Sequence, residues 1–283
     1  MARTRRPILI ILISAIIIIS GCSFASADDN TGDIILVDND ICFVSIGNFK
    51  YNNEYYAFTA DARFINRTDF NLFFSIDKVS VNGYMCESYI GTAVPSYGES
   101  VYMLTFDPED FDRSHIISVR EIEFTLSVVN NDDWASECLT EKICTVLPFG
   151  EDAPRQAEQS FRDNSTMLVD NDDCIMIITG FETDPYFFKA NVYLENKTDI
   201  ELEFKIAGST SINSCCISPC FYKDVMPGKK MNTSIQWYLS DLDLYGINEV
   251  NDIALDIVIS DANNWFADSV YEGNSFISIT SID

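Results

Sequence analysis

The chain has 283 residues, of which 44 are Asp or Glu and 18 are Lys or Arg, so the formal net charge is −26. This charge argues against nucleic-acid binding, which needs clustered basic residues. It argues equally against docking on anionic lipid through a basic protein surface.

The N-terminal segment has the pattern of an export signal. Arg3, Arg5 and Arg6 precede an apolar run over residues 8–19. The run is too short for a comfortable membrane span, but it suits the hydrophobic region of a signal peptide. We therefore predict a signal peptide over residues 1–21.

The run ends in Ile19-Ser20-Gly21-Cys22, which resembles the bacterial lipobox. The resemblance implies that Cys22 is acylated and becomes the mature N-terminus. Two acyl chains hold a protein on a bilayer where one chain binds only marginally. We expect the membrane as a partner through this anchor, a location on the extracytoplasmic face of the cell membrane, and a short tether over 22–33. An ordinary signal peptide cut elsewhere is the alternative.

One phrase, Leu-Val-Asp-Asn-Asp-x-Cys, occurs at 36–42 and again at 168–174. Further landmarks match in the same order at nearly the same offset: 64–69 with 194–199, 79–82 with 210–213, Gly98 with Gly228, 119–122 with 250–253, and Trp134 with Trp265. Matches in one order at one spacing indicate a duplicated domain. We predict repeat 1 over 34–148, a polar linker over 149–165 that contains Pro154, and repeat 2 over 166–283.

Apolar residues alternate with polar ones within each repeat. The clearest run is Ile253, Leu255, Ile257 and Ile259, and others follow the same period: Tyr56 to Phe64, Phe70 to Ile76, Ile122 to Val128, and Ile200 to Ile206. A period of two is typical of antiparallel strands with one buried and one wet face. The pattern predicts an all-β fold with two tandem immunoglobulin-like antiparallel β-sandwich domains, and small β-barrels are the alternative.

The lipobox, the short acidic tether and the tandem β-domains together resemble the exported lipoproteins of Gram-positive bacteria that carry immunoglobulin-like domains of unknown function. The Asn-x-Thr turns at Asn66 and Asn196 fit that pattern, and so does the late Gly246-Ile247 segment leading to Trp265. The resemblance implies a fold and a location, and it transfers no catalytic residue.

Eight cysteines remain after Cys22, four in each repeat, and in an exported protein they favour disulfides. The matched positions suggest these pairs: Cys42–Cys86, Cys138–Cys144, Cys174–Cys216 and Cys215–Cys220. Buried free thiols are one alternative. A zinc site at Cys215, Cys216 and Cys220 is another, although it lacks spaced CxxC pairs and a nearby histidine.

Motifs for catalysis are sparse. His115 is the only histidine, and it matches Gly246, which favours a turn residue over a catalytic base. No phosphate-binding glycine loop, HExxH helix or GxSxG turn is present. A pair of carboxylates for glycoside-type hydrolysis remains open, because acids are abundant.

Two segments are rich in oxygen ligands for calcium. Asp241, Asp243, Glu249 and Asp252 occupy EF-hand-like positions around Gly246, although the fifth position is Tyr and the last ligand is Asp. The second candidate comprises the repeated acidic turns: Asp38-Asn39-Asp40 and Asp170-Asn171-Asp172-Asp173. A turn at the start of a strand explains them equally.

The function that fits these features is a non-enzymatic binding or interaction module at the cell envelope, with an envelope protein or glycan as partner. A calcium-dependent adhesion module is the alternative, and a carboxylate-dependent hydrolase is the third. A binding module should expose an aromatic patch or a continuous edge strand. The aromatic candidates are Tyr51, Tyr55, Tyr56, Tyr186, Phe187 and Phe188.

Overall fold

The structure is a computed structural model, and it describes residues 32–133, 137–155, 159–161, 165–219, 221–264 and 266–279. The predicted signal peptide, the lipidation site Cys22 and most of the tether lie outside the described residues, as do Trp134, Cys220 and Trp265. Within the described part, no helix has the length and apolar character needed to cross a bilayer.

Strands account for 57% of the described residues and helices for 5%. In chain order the elements are β1 (Ile34–Asp38), β2 (Cys42–Asn52), β3 (Ala57–Asn66), β4 (Leu72–Val81), β5 (Tyr84–Met85), β6 (Ile90–Val94), β7 (Glu99–Thr105), α1 (Pro108–Arg113), β8 (Ile122–Asn130), β9 (Thr140–Val146), β10 (Thr166–Asp170), β11 (Cys174–Thr183), β12 (Phe187–Asn196), β13 (Leu202–Ile212), β14 (Cys215–Cys216), β15 (Tyr222–Val225), β16 (Lys230–Tyr238), α2 (Leu239–Leu244), β17 (Asp252–Asp261) and β18 (Tyr271–Ser278).

Each repeat has two layers of antiparallel strands. In repeat 1 the front sheet has the order β1-β2-β3-β7, and β4 lies at the centre of the back sheet with β5, β6, β8 and β9. In repeat 2 the front order is β10-β11-β12-β16, and β13 takes the central place in the back sheet. Among the described residues no sheet closes into a barrel, so the barrel alternative is wrong and the β-sandwich prediction is confirmed.

The cores follow the alternation of the sequence. Phe58, Ala60, Ala62 and Phe64 are buried between the layers of repeat 1, as predicted, whereas Tyr56 is 72% exposed in the turn before β3. The predicted set Ile253, Leu255, Ile257 and Ile259 of repeat 2 is buried throughout.

In β13, polar residues that the alternation predicts to be solvent-exposed are buried. Glu201 and Glu203 alternate with the core residues at the start of β13, yet they are only 7% and 6% exposed. The Lys78 ammonium from repeat 1 lies 2.6 Å from the Glu201 carboxylate, whereas Glu203 pairs with Lys205 of its own strand at 2.6 Å. Repeat 1 therefore contributes to the burial of Glu201, and the partners of Glu203 lie within repeat 2.

The repeated acidic phrase builds a corner between two strands. The Asn39 side-chain oxygen accepts hydrogen bonds from the backbone N–H groups of Ile41 and Cys42, and Arg67 pairs with Asp38 at 2.7 Å. Repeat 2 reproduces this arrangement through matched residues: Asn171, Asp173, Cys174, Lys197 and Asp170. Because the amide oxygen already serves backbone donors, the duplication has a structural cause.

The repeated Asn-x-Thr turn is anchored by a buried amide. Asn66 donates to the carbonyls of Phe70 and Val94 and accepts from the N–H and hydroxyl of Thr68. Asn196 makes the matching bonds in repeat 2. Both asparagines are 1% exposed, so these bonds fix the turn that carries the chain from the front sheet to the back sheet.

Candidate functional site

The two repeats share one continuous sheet. The first residue of β16 forms a parallel bridge to β5, in which the Lys230 N–H donates to the Gly83 carbonyl at 3.0 Å. Met85, from β5, is buried in the core cluster of repeat 2. Repeat 1 thus covers the end of β16 that would otherwise be an open edge.

Three lysine–glutamate pairs join the repeats around this bridge. Lys78 pairs with Glu201 at 2.6 Å and Lys229 pairs with Glu123 at 2.9 Å. The third pair is Lys223 with Glu87. The Glu201 carboxylate is buried, so its cation offsets a desolvation cost, whereas the Glu87 side chain is 57% exposed and its pair is screened by solvent.

A polar network lies beside the bridge. Asn232 of β16 donates to the Ser114 hydroxyl at 3.3 Å and exchanges hydrogen bonds with the Gln159 amide at 2.9 and 3.1 Å. Phe161 packs edge-on against Tyr193, with ring centroids 4.8 Å apart. Linker residues 159 and 161 are therefore docked on repeat 2, whereas Ala153, earlier in the linker, accepts a hydrogen bond from Arg120 of repeat 1. Sequence reasoning assigned these linker residues no role.

This junction encloses a cleft of about 500 Å³. Repeat 1 contributes the end of α1, the linker contributes residues 159–161, and repeat 2 contributes strand residues and the end of β18. The residues that line it include Arg113, His115, Ser165, Phe181, Glu182 and Asn232. Its size falls within the range of small-ligand and peptide sites.

One wall of the cleft is an open strand edge. β10 pairs with β11 only as far as Thr166 opposite Ile178, and residues 179–183 continue with β12 on the other side alone. Among the described residues no strand covers their free side. Unpaired N–H and C=O groups in a row are what an extended peptide recognises when it adds to a sheet.

The charge of the cleft differs from that of the whole chain. Arg113 and Glu182 line it together, so one cation and one carboxylate are present where the chain as a whole is strongly acidic. Arg113 pairs with Glu109 at 2.6 Å and lies 3.8 Å from Asp110. The buried Ser165 hydroxyl has no hydrogen-bond partner among the described residues. This lining suits an uncharged polar ligand.

Asp110 lies on α1, and His115 follows the end of this helix at the cleft. Burial raises the pKa of the Asp110 carboxyl to about 6, opposed by the hydrogen bond that it accepts from the Glu87 N–H. His115 has φ +52° after the end of α1, and Gly246 has φ +69° at the matching place after α2. The turn role predicted for His115 fits this geometry.

The predicted calcium residues are not gathered. Asp241 and Asp243 lie on α2, two residues apart and hence on different faces, while Glu249 and Asp252 follow in the loop and at the start of β17. Asn213 organises this loop by accepting from the Asp252 N–H and donating to the Glu249 carbonyl. No group of three or more metal-ligating side chains occurs in the described parts of the chain.

The described cysteines are free thiols. Cys42 lies opposite Asn66 at one end of its sandwich, whereas the Cys86 N–H bonds to Val79 near the far end of β4. At ~3.3 Å per residue these ends are roughly 20 Å apart, beyond disulfide reach. The predicted Cys42–Cys86 pair is therefore wrong, and its counterpart Cys174–Cys216 fails for the same reason.

The predicted Cys138–Cys144 pair is also wrong, because the residues do not face each other. Cys144 lies within β9 and Cys138 comes two residues before the strand begins, so they share one side of the hairpin. Cys220 lies outside the described residues, which leaves Cys215–Cys220 and the zinc alternative as predictions. Burial raises the pKa of the Cys42 and Cys174 thiols to about 11.

A cluster of carboxylates lies on β13 and β15, where Glu203 is opposite Asp224. The Glu203 carboxylate contacts the Lys205 ammonium at 2.6 Å. Its hydrogen bond with the Tyr222 hydroxyl raises the pKa of that phenol to about 12. Burial raises the pKa of Asp224. Because the glutamates here already have partners, the arrangement reads as an ion-pair network.

The aromatic clusters divide between core and surface. Phe188 is buried, and Phe187 packs on Tyr238 with centroids 4.8 Å apart. Tyr55 and Tyr186 are exposed at turns. A second open edge is more continuous: among the described residues β7 pairs with β3 alone, and three successive side chains along it, Val101, Tyr102 and Met103, are exposed.

No protein-family model and no curated protein sequence matches the chain. Among solved structures, a red sea bream transglutaminase is 10% identical with a TM-score of 0.25, and the match covers 85% of this chain and 31% of that one. This chain thus spans less than a third of that protein's length. The YadV chaperone is 12% identical with a TM-score of 0.23, covering 77% and 92%. A Salmonella enterica SafA pilin in complex with the SafB chaperone is 10% identical with a TM-score of 0.20, covering 83% and 96%. Scores this low carry no argument about function.

Proposed function

We propose that this chain is a membrane-anchored, extracytoplasmic binding module without enzymatic activity, and that it holds an extended, uncharged segment of an envelope protein in the cleft between its repeats. The observation that carries the proposal is the open edge of β11 at residues 179–183, which forms a wall of that cleft. A glycan is the alternative ligand.

The cleft offers an extended peptide two kinds of contact. Backbone groups of the open edge supply hydrogen bonds that do not depend on the peptide sequence. Phe181 lines the space beside the edge and would select side chains of the bound peptide. A strongly charged segment would leave its charges without partners, since Arg113 is already paired with Glu109.

The proposed location rests on the sequence alone. The apolar run and the Cys22 lipobox support lipid anchoring, and the short tether keeps the folded part near the membrane. A partner in the cleft would then be another envelope component within a few tens of ångströms of the bilayer.

Photo-cross-linking tests the proposal in intact cells. The photoreactive residue p-benzoylphenylalanine replaces Glu182, which is exposed on the open edge, and the matched control replaces Glu272, which is exposed on the edge strand β18. We expect one dominant protein adduct from position 182 that position 272 does not give. A carbohydrate adduct at position 182 would show that the ligand is a glycan and not a peptide. Identical adducts from both positions would contradict the cleft as the binding site.

A further inference from the structure

Two surfaces form the contact between the repeats, and because the domain is duplicated each surface occurs once in each repeat. Within the described residues, one copy of each surface takes part in the contact. In repeat 1 the turn before β5 and the end of α1 cover the edge of β16. Repeat 2 has the same turn before β14 and the same end of α2, and repeat 1 has the matching edge on β7. This further surface is separate from the cleft of the proposed function.

The backbone of the unused turn has the geometry of the used one. Asn82 and Gly83 have φ +52° and +86°, and the matching Asn213 and Ser214 have φ +48° and +65°. The Gly83 carbonyl accepts from Lys230 at the start of β16. Ser214 therefore presents an equivalent carbonyl at the other end of the chain.

The unused helix end and the unused edge also correspond residue by residue. Ser114 and Tyr245 end the two helices with the same conformation, φ −92° with ψ 3° and 2°. Val101 lies opposite Arg63 on β3, as Asn232 lies opposite the matching Tyr193 on β12. Val101 therefore corresponds to Asn232, and Tyr245 corresponds to Ser114.

The solvent exposure of the four residues differs between the pair within the contact and the corresponding pair outside it. Asn232 and Ser114 are 7% and 2% exposed, whereas Val101 and Tyr245 are 57% and 54% exposed. Their neighbours extend both patches: Tyr102 and Met103 on β7, and Leu244 on α2, which is 80% exposed. A polar pair in the used contact is replaced by two apolar side chains in the unused one.

We propose that the occupant of the open β7 edge is a second copy of this chain, which docks its Asn213–Ser214 turn and the end of α2 there. The contact is head-to-tail, so each copy retains one free end and the assembly grows as an open row. The strong negative charge opposes association in solution, and anchoring many copies on one membrane raises their local concentration against it.

Cysteine cross-linking tests this arrangement in the full chain in its native envelope, with the exposed Cys138 and Cys216 replaced by Ser and copper phenanthroline as oxidant. Val101→Cys combined with Tyr245→Cys should give a ladder of dimers, trimers and larger species. Each single variant should give no ladder.

Ser114→Cys with Asn232→Cys is the matched control, because its two positions already touch within one chain. It should form an intrachain disulfide without a ladder, which verifies the correspondence on which the design depends. A dimer from Val101→Cys alone would show β7 pairing with β7 of another copy, and that result would overturn the head-to-tail contact. Absence of any cross-link in the double variant, with the control formed, would overturn it as well.

Discussion

Single buried side chains hold the corners of each sandwich, and Asn196 is the clearest case. Its amide donates to the Ile200 and Val225 carbonyls and accepts from Thr198 while being 1% exposed. Asn196→Ala leaves these groups buried without partners, so we expect a loss of about 2–4 kcal/mol in the free energy of unfolding. Denaturant titration measures it.

The control for this substitution is Asn53→Ala in an exposed turn of repeat 1. It should change the free energy of unfolding by less than about 0.5 kcal/mol. Equal effects of the two substitutions would contradict the role assigned to the buried amide.

Asp110 makes stability depend on pH. It is 4% exposed, and burial raises the pKa of its carboxyl from the ordinary value of 3.8 to about 6. Between these values the folded state binds more protons than the unfolded state, so stability falls as the pH rises through this window. We expect Asp110→Asn to remove this contribution, on the order of 2–3 kcal/mol between about pH 4 and pH 7.

The measurement is chemical denaturation of the protein and the Asp110→Asn variant across that window. The Asn side chain retains an oxygen that can accept from the Glu87 N–H, so the variant keeps the local contact. A constant difference between the two proteins at every pH would contradict the assignment.

At the scale of elements, the stability that each ion pair adds to the contact between the repeats depends on how deeply its carboxylate is buried. Lys78→Gln leaves Glu201 without its cation while that side chain is only 7% exposed. We expect a loss of about 2 kcal/mol or more, since an unpaired buried charge costs far more than an exposed one. Thermal or denaturant unfolding reports the change.

Lys223→Gln is the matched control, because it breaks another pair between the repeats whose Glu87 partner is 57% exposed. Its effect should stay below about 1 kcal/mol. Combining Lys78→Gln with Glu201→Gln should recover much of the loss, and a failure to recover would point to a cause other than the unpaired charge.

The elements also show how far local pattern predicts this fold. The alternation of Ile253 to Ile259 predicts a strand correctly, because the buried and exposed faces of that strand follow from its own residue pattern. The burial of Glu201 involves Lys78, more than a hundred residues away, so the alternation there predicts an exposed glutamate where the structure has a buried one. The disulfide pairs fail in the same way, since matched positions in a repeat do not show which end of the sandwich each cysteine occupies.

The candidate cleft lies beyond sequence reasoning for a related reason. Gln159 and Phe161 of the linker form one wall by docking on repeat 2. Their polar composition predicts only a connection. The sequence predicts only that a binding module would expose an edge strand, without indicating which one. The structure has open edges at β7 and at residues 179–183 of β11.

At the scale of the whole molecule, the anchor decides where the module acts. Cys22→Ala removes the proposed acylation site, so we expect the chain to leave the membrane fraction and to stop incorporating a fatty-acid label. Cell fractionation with an alkyne-labelled palmitate analogue measures both. Cys138→Ser, which changes an exposed thiol in repeat 1, is the control and should change neither.

The central claim is that the cleft between the repeats binds an envelope partner, and filling the cleft tests it most directly. Gly180 lies on the open edge, and a Cβ added there would meet no atom within 4 Å. A side chain at position 180 therefore starts in open space, and the indole of Gly180→Trp should occupy the cleft, with Glu272→Trp on β18 as the control and circular dichroism to verify that both variants fold.

The measurement is quantitative capture of envelope proteins by the full mature chain and by both variants, compared by mass spectrometry. We predict that one protein captured by the unmodified chain and by Glu272→Trp falls about tenfold or more with Gly180→Trp, a difference of about 1.4 kcal/mol in binding. The same capture profile from all three chains would contradict the account.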